Sequence, residues 1–144
     1  MLAQNFKTAA ELQLTEDQSS ALIGILHMLE RGELKHIKYD LNLFYAQDPT
    51  LKLPDLAFNM GDWCETNECG TVGCIGGWAE KLYGAEFPHQ EGYARLPVFK
   101  LFYPNWEKAG LNYNYYDITN DQAARALRNF LSTGEPRWDE VLAH

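Results

Sequence analysis

The stretch CGTVGCIGGWAEKLYG, residues 69–84, decides the predicted fold because it crowds five glycines and two cysteines into sixteen positions. On a helical wheel at about 100° per residue, the apolar side chains from Val72 to Tyr83 occupy one broad arc and the glycines fill the adjoining arc. A helix with so little polar surface belongs in the centre of a protein. The sequence therefore predicts a buried, glycine-rich helix over residues 70–83.

The glycines of this predicted helix need a physical reason. Each glycine inside a helix costs roughly 0.8–1 kcal/mol relative to alanine, so Gly73, Gly76 and Gly77 together cost about 3 kcal/mol. Close packing of another element against bare backbone would offset that cost. A phosphate-binding loop is the alternative, but the stretch lacks the Gly-x-x-x-x-Gly-Lys pattern and follows Glu65 and Glu68. Packing is therefore the favoured interpretation.

Two further segments carry strong helix signals. In LTEDQSSALIGILHMLERG, Thr15 and Gln18 form a capping box, and apolar residues at helical spacing predict a helix over residues 16–31. In ITNDQAARALRNFLSTGEP, Thr119 and Gln122 provide the same start signal. A glycine follows each pattern where a helix stop belongs.

The remaining chain favours a small, mainly α-helical protein. Shorter helices are predicted within LPVFKLFYP (residues 96–104) and PRWDEVLAH (residues 136–144). With 144 residues, of which 46% are hydrophobic and 13% aromatic, the chain can bury the core of one domain. We expect a compact, single domain over residues 1–144, a bundle of five or six helices around the glycine-rich helix, with room for one short β-hairpin.

Composition also limits location and partners. The net charge of −8 argues against nucleic acid and acidic membrane surfaces as partners. The sequence has no run of about 18 apolar residues and no signal-peptide pattern. Three cysteines are too few, and odd in number, for a secreted disulfide framework. We therefore expect a cytoplasmic protein that does not bind membranes.

The acidic segment, defined as residues 55–80, is a predicted partner surface. No Lys or Arg lies between Lys52 and Lys81, whereas five carboxylates do. If this segment is exposed, its natural partner has a basic surface, and the predicted binding residues are Asp62, Glu65 and Glu68. The alternative is a solvated acidic face that only keeps the protein soluble.

Loop-like sequence after residue 103 supplies a second set of candidate contacts. Trp106, Tyr113, Tyr115 and Tyr116 lie among asparagines, and such aromatic side chains bury a large area for few rotatable bonds. They predict a contact face for a protein partner or for a second copy in a homo-oligomer. Folding of these aromatics back onto the protein's own core is an equally compatible alternative.

The cysteines offer weaker hypotheses. Cys64, Cys69 and Cys74 recur every five residues and are candidate zinc ligands, but no second closely spaced pair follows. As nucleophiles, Cys69 and Cys74 would need a base such as His89 or His36, and nearby carboxylates oppose thiolate formation. The alternative is that they are small structural side chains. We expect no cofactor.

Residues 58–84 (FNMGDWCETNECGTVGCIGGWAEKLYG), with LFYP at 101–104 and ITNDQAARALRNFLSTGEPRWD at 118–139, resemble an uncharacterised family of small bacterial and phage proteins. The family core is Cys-Gly-Thr-x-x-Cys-Ile-x-Gly-x-Ala, and this chain has Gly76 where alanine is usual. The resemblance covers about half of the chain. It implies a small, mostly helical protein of mobile-element origin and implies no established catalytic residues.

The sequence contains no coherent catalytic set, and this favours a non-enzymatic function. The leading hypothesis is a binding protein, encoded by a phage or mobile element, that engages a host protein. The alternatives are a cysteine-dependent enzyme or small-molecule sensor that uses Cys69 or Cys74, and a structural zinc protein.

Overall fold

The computed structural model describes residues 5–36, 56–60, 65–67, 70–87, 96–102 and 117–142. The helices in these residues are α1 (Glu16–Glu30), α2 (Ile75–Tyr83), α3 (Pro97–Phe102), α4 (Asn120–Thr133) and α5 (Trp138–Leu142). The strands are β1 (Lys35–His36), β2 (Ala57–Phe58), β3 (Glu65–Asn67) and β4 (Gly70–Gly73). The protein is mainly helical, which confirms the predicted fold class.

Helices α1 and α4 begin with identical capping chemistry. The Thr15 hydroxyl accepts from the Gln18 N–H at 3.1 Å, and Gln18 Oε1 accepts from the Thr15 N–H at 2.9 Å. Thr119 and Gln122 repeat both hydrogen bonds at the same two distances. Because these bonds satisfy backbone groups that a helix start leaves unpaired, both helices begin where the sequence predicts.

Helices α1 and α4 pack antiparallel and supply many of the core side chains. Just before α1, the Lys7 N–H donates to the Leu131 carbonyl near the end of α4 at 2.7 Å. Just after α1, the Leu34 carbonyl accepts from Asn120 Nδ2 at the start of α4 at 2.5 Å. The buried side chains on the two helices include Leu22, Ile25, Leu26, Leu29, Ala123, Ala126, Leu127 and Phe130. A buried leucine or phenylalanine contributes roughly 1.5–3 kcal/mol, so this pairing carries much of the stability.

The strands form one small mixed sheet with the order β1-β2-β4-β3. Strands β1, β2 and β4 run parallel, and β3 pairs antiparallel with β4. Helix α2 follows β4 directly, and the indole Nε1 of Trp78 donates to the Ala57 carbonyl of β2 at 2.8 Å. This bond fixes the start of α2 against the sheet.

The predicted helix over residues 70–83 is too long at its start. Residues 70–73 form β4, and the helix begins at Ile75. The physical reason is local: Thr71 and Val72 are β-branched, a side-chain type that fits a strand better than a helix. The wheel also places Leu82 and Tyr83 on a buried face, yet they are 41% and 47% exposed. Only the first half of α2 is central.

Helices α3 and α5 complete the described bundle. The indole Nε1 of Trp138 in α5 donates to the Leu101 carbonyl of α3 at 3.1 Å, and both residues are buried. These helices fall within the two segments predicted to be short helices. None of the helices in the described residues has the length and apolar character that a membrane crossing requires.

Close contact with a glycine backbone occurs on α1. A Cβ atom built on Gly24 would lie 2.5 Å from both Cζ and Oη of Tyr83. The Tyr83 hydroxyl donates to Met28 Sδ at 3.9 Å, one helical turn further along α1. Helix α2 therefore ends with its last aromatic ring lying against bare backbone of α1.

This contact predicts a change in the effect of alanine at position 24. In a Tyr83→Ala background, Gly24→Ala should raise the free energy of unfolding by about 1 kcal/mol, because alanine is the better helix former. In the wild-type chain the ring must move away, so most of that gain should be lost. Urea denaturation of the four variants measures both effects. Equal effects of Gly24→Ala in the two backgrounds would contradict the contact.

Candidate functional site

The cysteine of α2 caps the helix. Cys74 directly precedes α2 in an extended conformation, and its Sγ accepts from the Gly77 N–H at 3.4 Å. Its side chain is 3% exposed. A helix start favours a thiolate, but burial keeps this sulfur from solvent and from any substrate in solution. Cys74 therefore has the geometry of a structural capping residue.

The sheet register separates Cys74 from the nearest described histidine candidate. His36 in β1 pairs with Phe58 in β2, and Phe58 pairs with Gly73 in β4. Two strand spacings, about 10 Å, thus lie between the backbones of His36 and Gly73. Fully buried Asn59 follows β2 in the same way that Cys74 follows β4. The register does not place His36 as a base for Cys74.

The other sequence-predicted site residues are largely outside the described part of the chain. These are Asp62, Cys64, Glu68, Cys69, His89, Trp106, Tyr113, Tyr115 and Tyr116. Glu65 begins β3 at one edge of the described sheet. Glu80 of the acidic segment uses its carboxylate structurally, because Oε2 accepts from the Phe87 N–H at 3.0 Å. Among the described side chains, no three His, Cys, Asp or Glu residues are arranged to hold a metal ion.

The structure reveals a surface that the sequence predictions missed. An open depression of about 400 Å³ lies on α4 and α5. Its lining residues are Arg125, Arg128, Asn129, Arg137, Glu140 and Val141, and we call it the arginine groove. It contains three of the five arginines in a chain with net charge −8. A second depression, lined by Glu30, Asp121, Ala124, Arg125 and Arg128, extends the groove towards the end of α1.

Arg128 is held in place between the two depressions. Its Nε and Nη2 donate to the Glu30 carboxylate of α1 at 3.0 and 2.8 Å. Its guanidinium carbon also lies 5.6 Å from the centre of the Phe6 ring, within the range of a cation–π contact. Because two guanidinium nitrogens of Arg128 bond to the same carboxylate, the plane of the guanidinium group is fixed. Arg128 therefore lines the arginine groove with its guanidinium oriented by Glu30.

The other two arginines are less engaged. Within the described residues, Arg125 makes no hydrogen bond or ion pair, although it lines both depressions. Arg137 Nε lies 4.0 Å from Glu140 Oε2, and both side chains are more than half exposed. An exposed pair of this kind contributes little to stability. Most guanidinium N–H donors of the groove thus remain available for an anionic group.

Arg137 also has an unfavourable backbone conformation. Its φ is +58°, in the left-handed region that glycine adopts most readily. The residue directly precedes α5, and its carbonyl accepts from the Val141 N–H at 3.0 Å. A non-glycine residue there costs about 1–2 kcal/mol. Gln13 and Leu56 also have a positive φ, and of these three residues Arg137 is the one that lines the groove.

The burial of Cys74 makes a prediction about thiol chemistry. Iodoacetamide should label Cys74 in the folded protein at least about 100-fold more slowly than in urea, because the sulfur reacts only after local opening. Tandem mass spectrometry of the labelled chain resolves this cysteine from the other two. Fast labelling of Cys74 in the native protein would restore it as a candidate nucleophile.

The backbone of Arg137 predicts the effect of a glycine there. Arg137→Gly should raise the free energy of unfolding by about 0.5 kcal/mol, since roughly 1–2 kcal/mol of relieved strain exceeds the roughly 0.5–1 kcal/mol of added unfolded-state entropy. Thermal and urea denaturation measure this change. A matched Arg31→Gly variant should lose stability, because Arg31 has a negative φ of −88° at the end of α1. Destabilisation by Arg137→Gly would contradict the assigned strain.

A scan against models of protein families, a search of curated proteins and a search of solved structures each found no match. The resemblance to the family with the Cys-Gly-Thr-x-x-Cys-Ile core stays a prediction.

Proposed function

We propose that this chain is a non-enzymatic binding protein that engages a protein partner with a basic surface. The observation that carries the proposal is the acidic segment, in which no basic residue balances the carboxylates between Lys52 and Lys81. Opposite charge on a partner would speed association and fix the orientation of docking. A cytoplasmic host protein is the class of partner that the phage-like resemblance suggests.

The position of β3 supports this choice of surface. Strand β3 lies within the acidic segment and is an edge strand of the described sheet, with β4 as its neighbour there. An edge strand offers backbone donors and acceptors to a docking chain, and Glu65 is the first residue of β3. The acidic composition of the segment favours a partner strand that carries lysine or arginine.

The environment of Cys74 supports binding over chemistry. Its sulfur is buried, and His36 is two strands away from β4. Beyond Cys74, the cysteine-enzyme alternative depends on Cys69 and the zinc alternative on Cys64 and Cys69, neither of which is among the described residues. Nothing in the described residues adds weight to either alternative.

Charge reversal of the acidic segment tests the proposal. Asp62, Glu65 and Glu68, changed together to lysine, should weaken binding to the partner at least about tenfold, because attraction becomes repulsion. The partner is first isolated on the immobilised wild-type chain, and its affinity is then measured with purified proteins by calorimetry. The free energy of unfolding should change little.

A second triple variant controls for the change in net charge. Three exposed carboxylates outside the segment serve for this purpose: Glu16, Glu86 and Asp139. Their change to lysine should leave the affinity within about twofold of wild type once the ionic strength is near 0.15 M, where charges interact over about 8 Å. Equal loss of affinity in both variants, or unchanged affinity in the first, would contradict the proposed surface.

A further inference from the structure

We propose that the arginine groove binds an acidic peptide segment of a protein partner and that the Arg125 guanidinium donates hydrogen bonds to one carboxylate of that peptide. The inference rests on the proposed function in one respect, that the partner is a protein. It adds a second docking surface, built from α1, α4 and α5, that contains no residue of the acidic segment.

Arg125 and Arg128 provide hydrogen-bond donors of the groove. Glu30 engages Nε and Nη2 of Arg128 and thereby orients its guanidinium. Arg125, three residues earlier on the same face of α4, lines the same depression and has no described partner. A carboxylate at Arg125 would receive the two parallel N–H bonds that a guanidinium fork provides.

The shape and charge of the groove determine which class of anion it can bind. The two depressions share Arg125 and Arg128 and so form an extended site, not a single cup. Across both, the three arginines are matched by three carboxylates, Glu30, Asp121 and Glu140. A nucleic acid needs a continuous positive surface, which such a mixed site does not offer. A peptide with spaced carboxylates meets the guanidinium groups and avoids the acidic ones.

The strained backbone of Arg137 is a further feature of the groove. A glycine would relieve the positive φ there, so folding alone does not favour arginine. Residues held in rarely occupied backbone conformations concentrate at binding and catalytic sites. Gln13 and Leu56 have a similar φ and do not line the groove, so the strain alone does not distinguish Arg137. What supports a ligand-binding role is that the Arg137 side chain lines the groove and has only a 4.0 Å contact with Glu140.

A defined peptide tests the inference on the full-length chain. The probe is a fluorescein-labelled Glu-Ala repeat of about eight residues, which spans about 26 Å when extended. Fluorescence anisotropy gives its dissociation constant, and nitrogen-15 NMR follows the Nε–H signal of Arg125, assigned from its loss in Arg125→Gln. We expect saturable binding in the micromolar to millimolar range and a shift of that signal. The corresponding Gln-Ala repeat should not bind.

Matched variants locate the site. Arg125→Gln and Arg137→Gly should each raise the dissociation constant of the Glu-Ala peptide about fivefold, the upper range for one exposed ion pair. Arg31→Gln makes the same charge change outside the groove and should stay within about twofold of wild type. For Arg137→Gly, weaker binding should accompany equal or greater stability, a combination that damage to the fold cannot produce.

Several results would overturn the inference. They are no peptide binding up to millimolar concentration, equal binding of the Gln-Ala repeat, or equal weakening by Arg31→Gln and Arg125→Gln. Displacement of the peptide by equimolar inorganic phosphate would identify a general anion site, and tighter binding of a single-stranded oligonucleotide would identify a nucleic-acid surface. Both would also refute it.

The two proposals fail separately. If the groove variants keep normal peptide affinity while charge reversal in the acidic segment abolishes partner binding, only the groove assignment is wrong. If charge reversal has no effect on the partner while Arg125→Gln weakens the peptide, only the acidic docking surface is wrong.

Discussion

The described structure depends on the antiparallel packing of α1 against α4. Their two capping boxes lie at opposite ends of the pair, and at each end a hydrogen bond joins one helix to the segment that flanks the other, Lys7 to Leu131 and Asn120 to Leu34. Helix α1 also contacts α2, which follows the sheet, while α4 contacts α3 and α5. The pair therefore joins the sheet-bearing part of the fold to the C-terminal helices. Loss of its buried apolar contacts would separate the two.

The same packing creates the arginine groove. Antiparallel alignment brings the last residue of α1, Glu30, beside the middle of α4, where Arg128 lies. The bond between Asn129 Nδ2 and the Pro136 carbonyl, at 3.1 Å, holds the turn after α4 close to that helix. Arg137 follows this turn and completes the wall of the groove. The surface is thus a consequence of how the core packs.

Local interactions explain which parts of the fold can be predicted from the sequence. Thr15 and Thr119 mark helix starts because a capping box involves only four consecutive residues. Residues 70–73 mislead because a run of four residues is too short for a helical wheel to distinguish from a strand, although the β-branched Thr71 and Val72 favour the strand that pairs with β2. The position of the Tyr83 ring likewise depends on a tertiary contact, since the ring lies against Gly24 of another helix.

The arginine groove is harder to predict from the sequence than the fold, for a related reason. Arg125 and Arg128 are visible as neighbours on one polar helix face, a pattern that is ordinary for a solvated helix. Only the turn after α4 brings Arg137 to them, and only the structure shows that its φ is positive. Likewise, Cys74 looks like a nucleophile at a helix start until its burial and its bond from Gly77 are known.

Net charge is a poor guide to contact surfaces in such a protein. At physiological ionic strength charges interact over only about 8 Å, so a partner responds to the nearest patch and not to the total of −8. A chain with an acidic segment and a separate arginine groove repels neither sign of partner uniformly. The two proposed surfaces together would favour a partner that presents basic residues to one and acidic residues to the other, and would disfavour the reversed orientation at both. Two weak, salt-sensitive surfaces, one acidic and one with available guanidinium groups, would in this way specify a docking orientation that neither could specify alone.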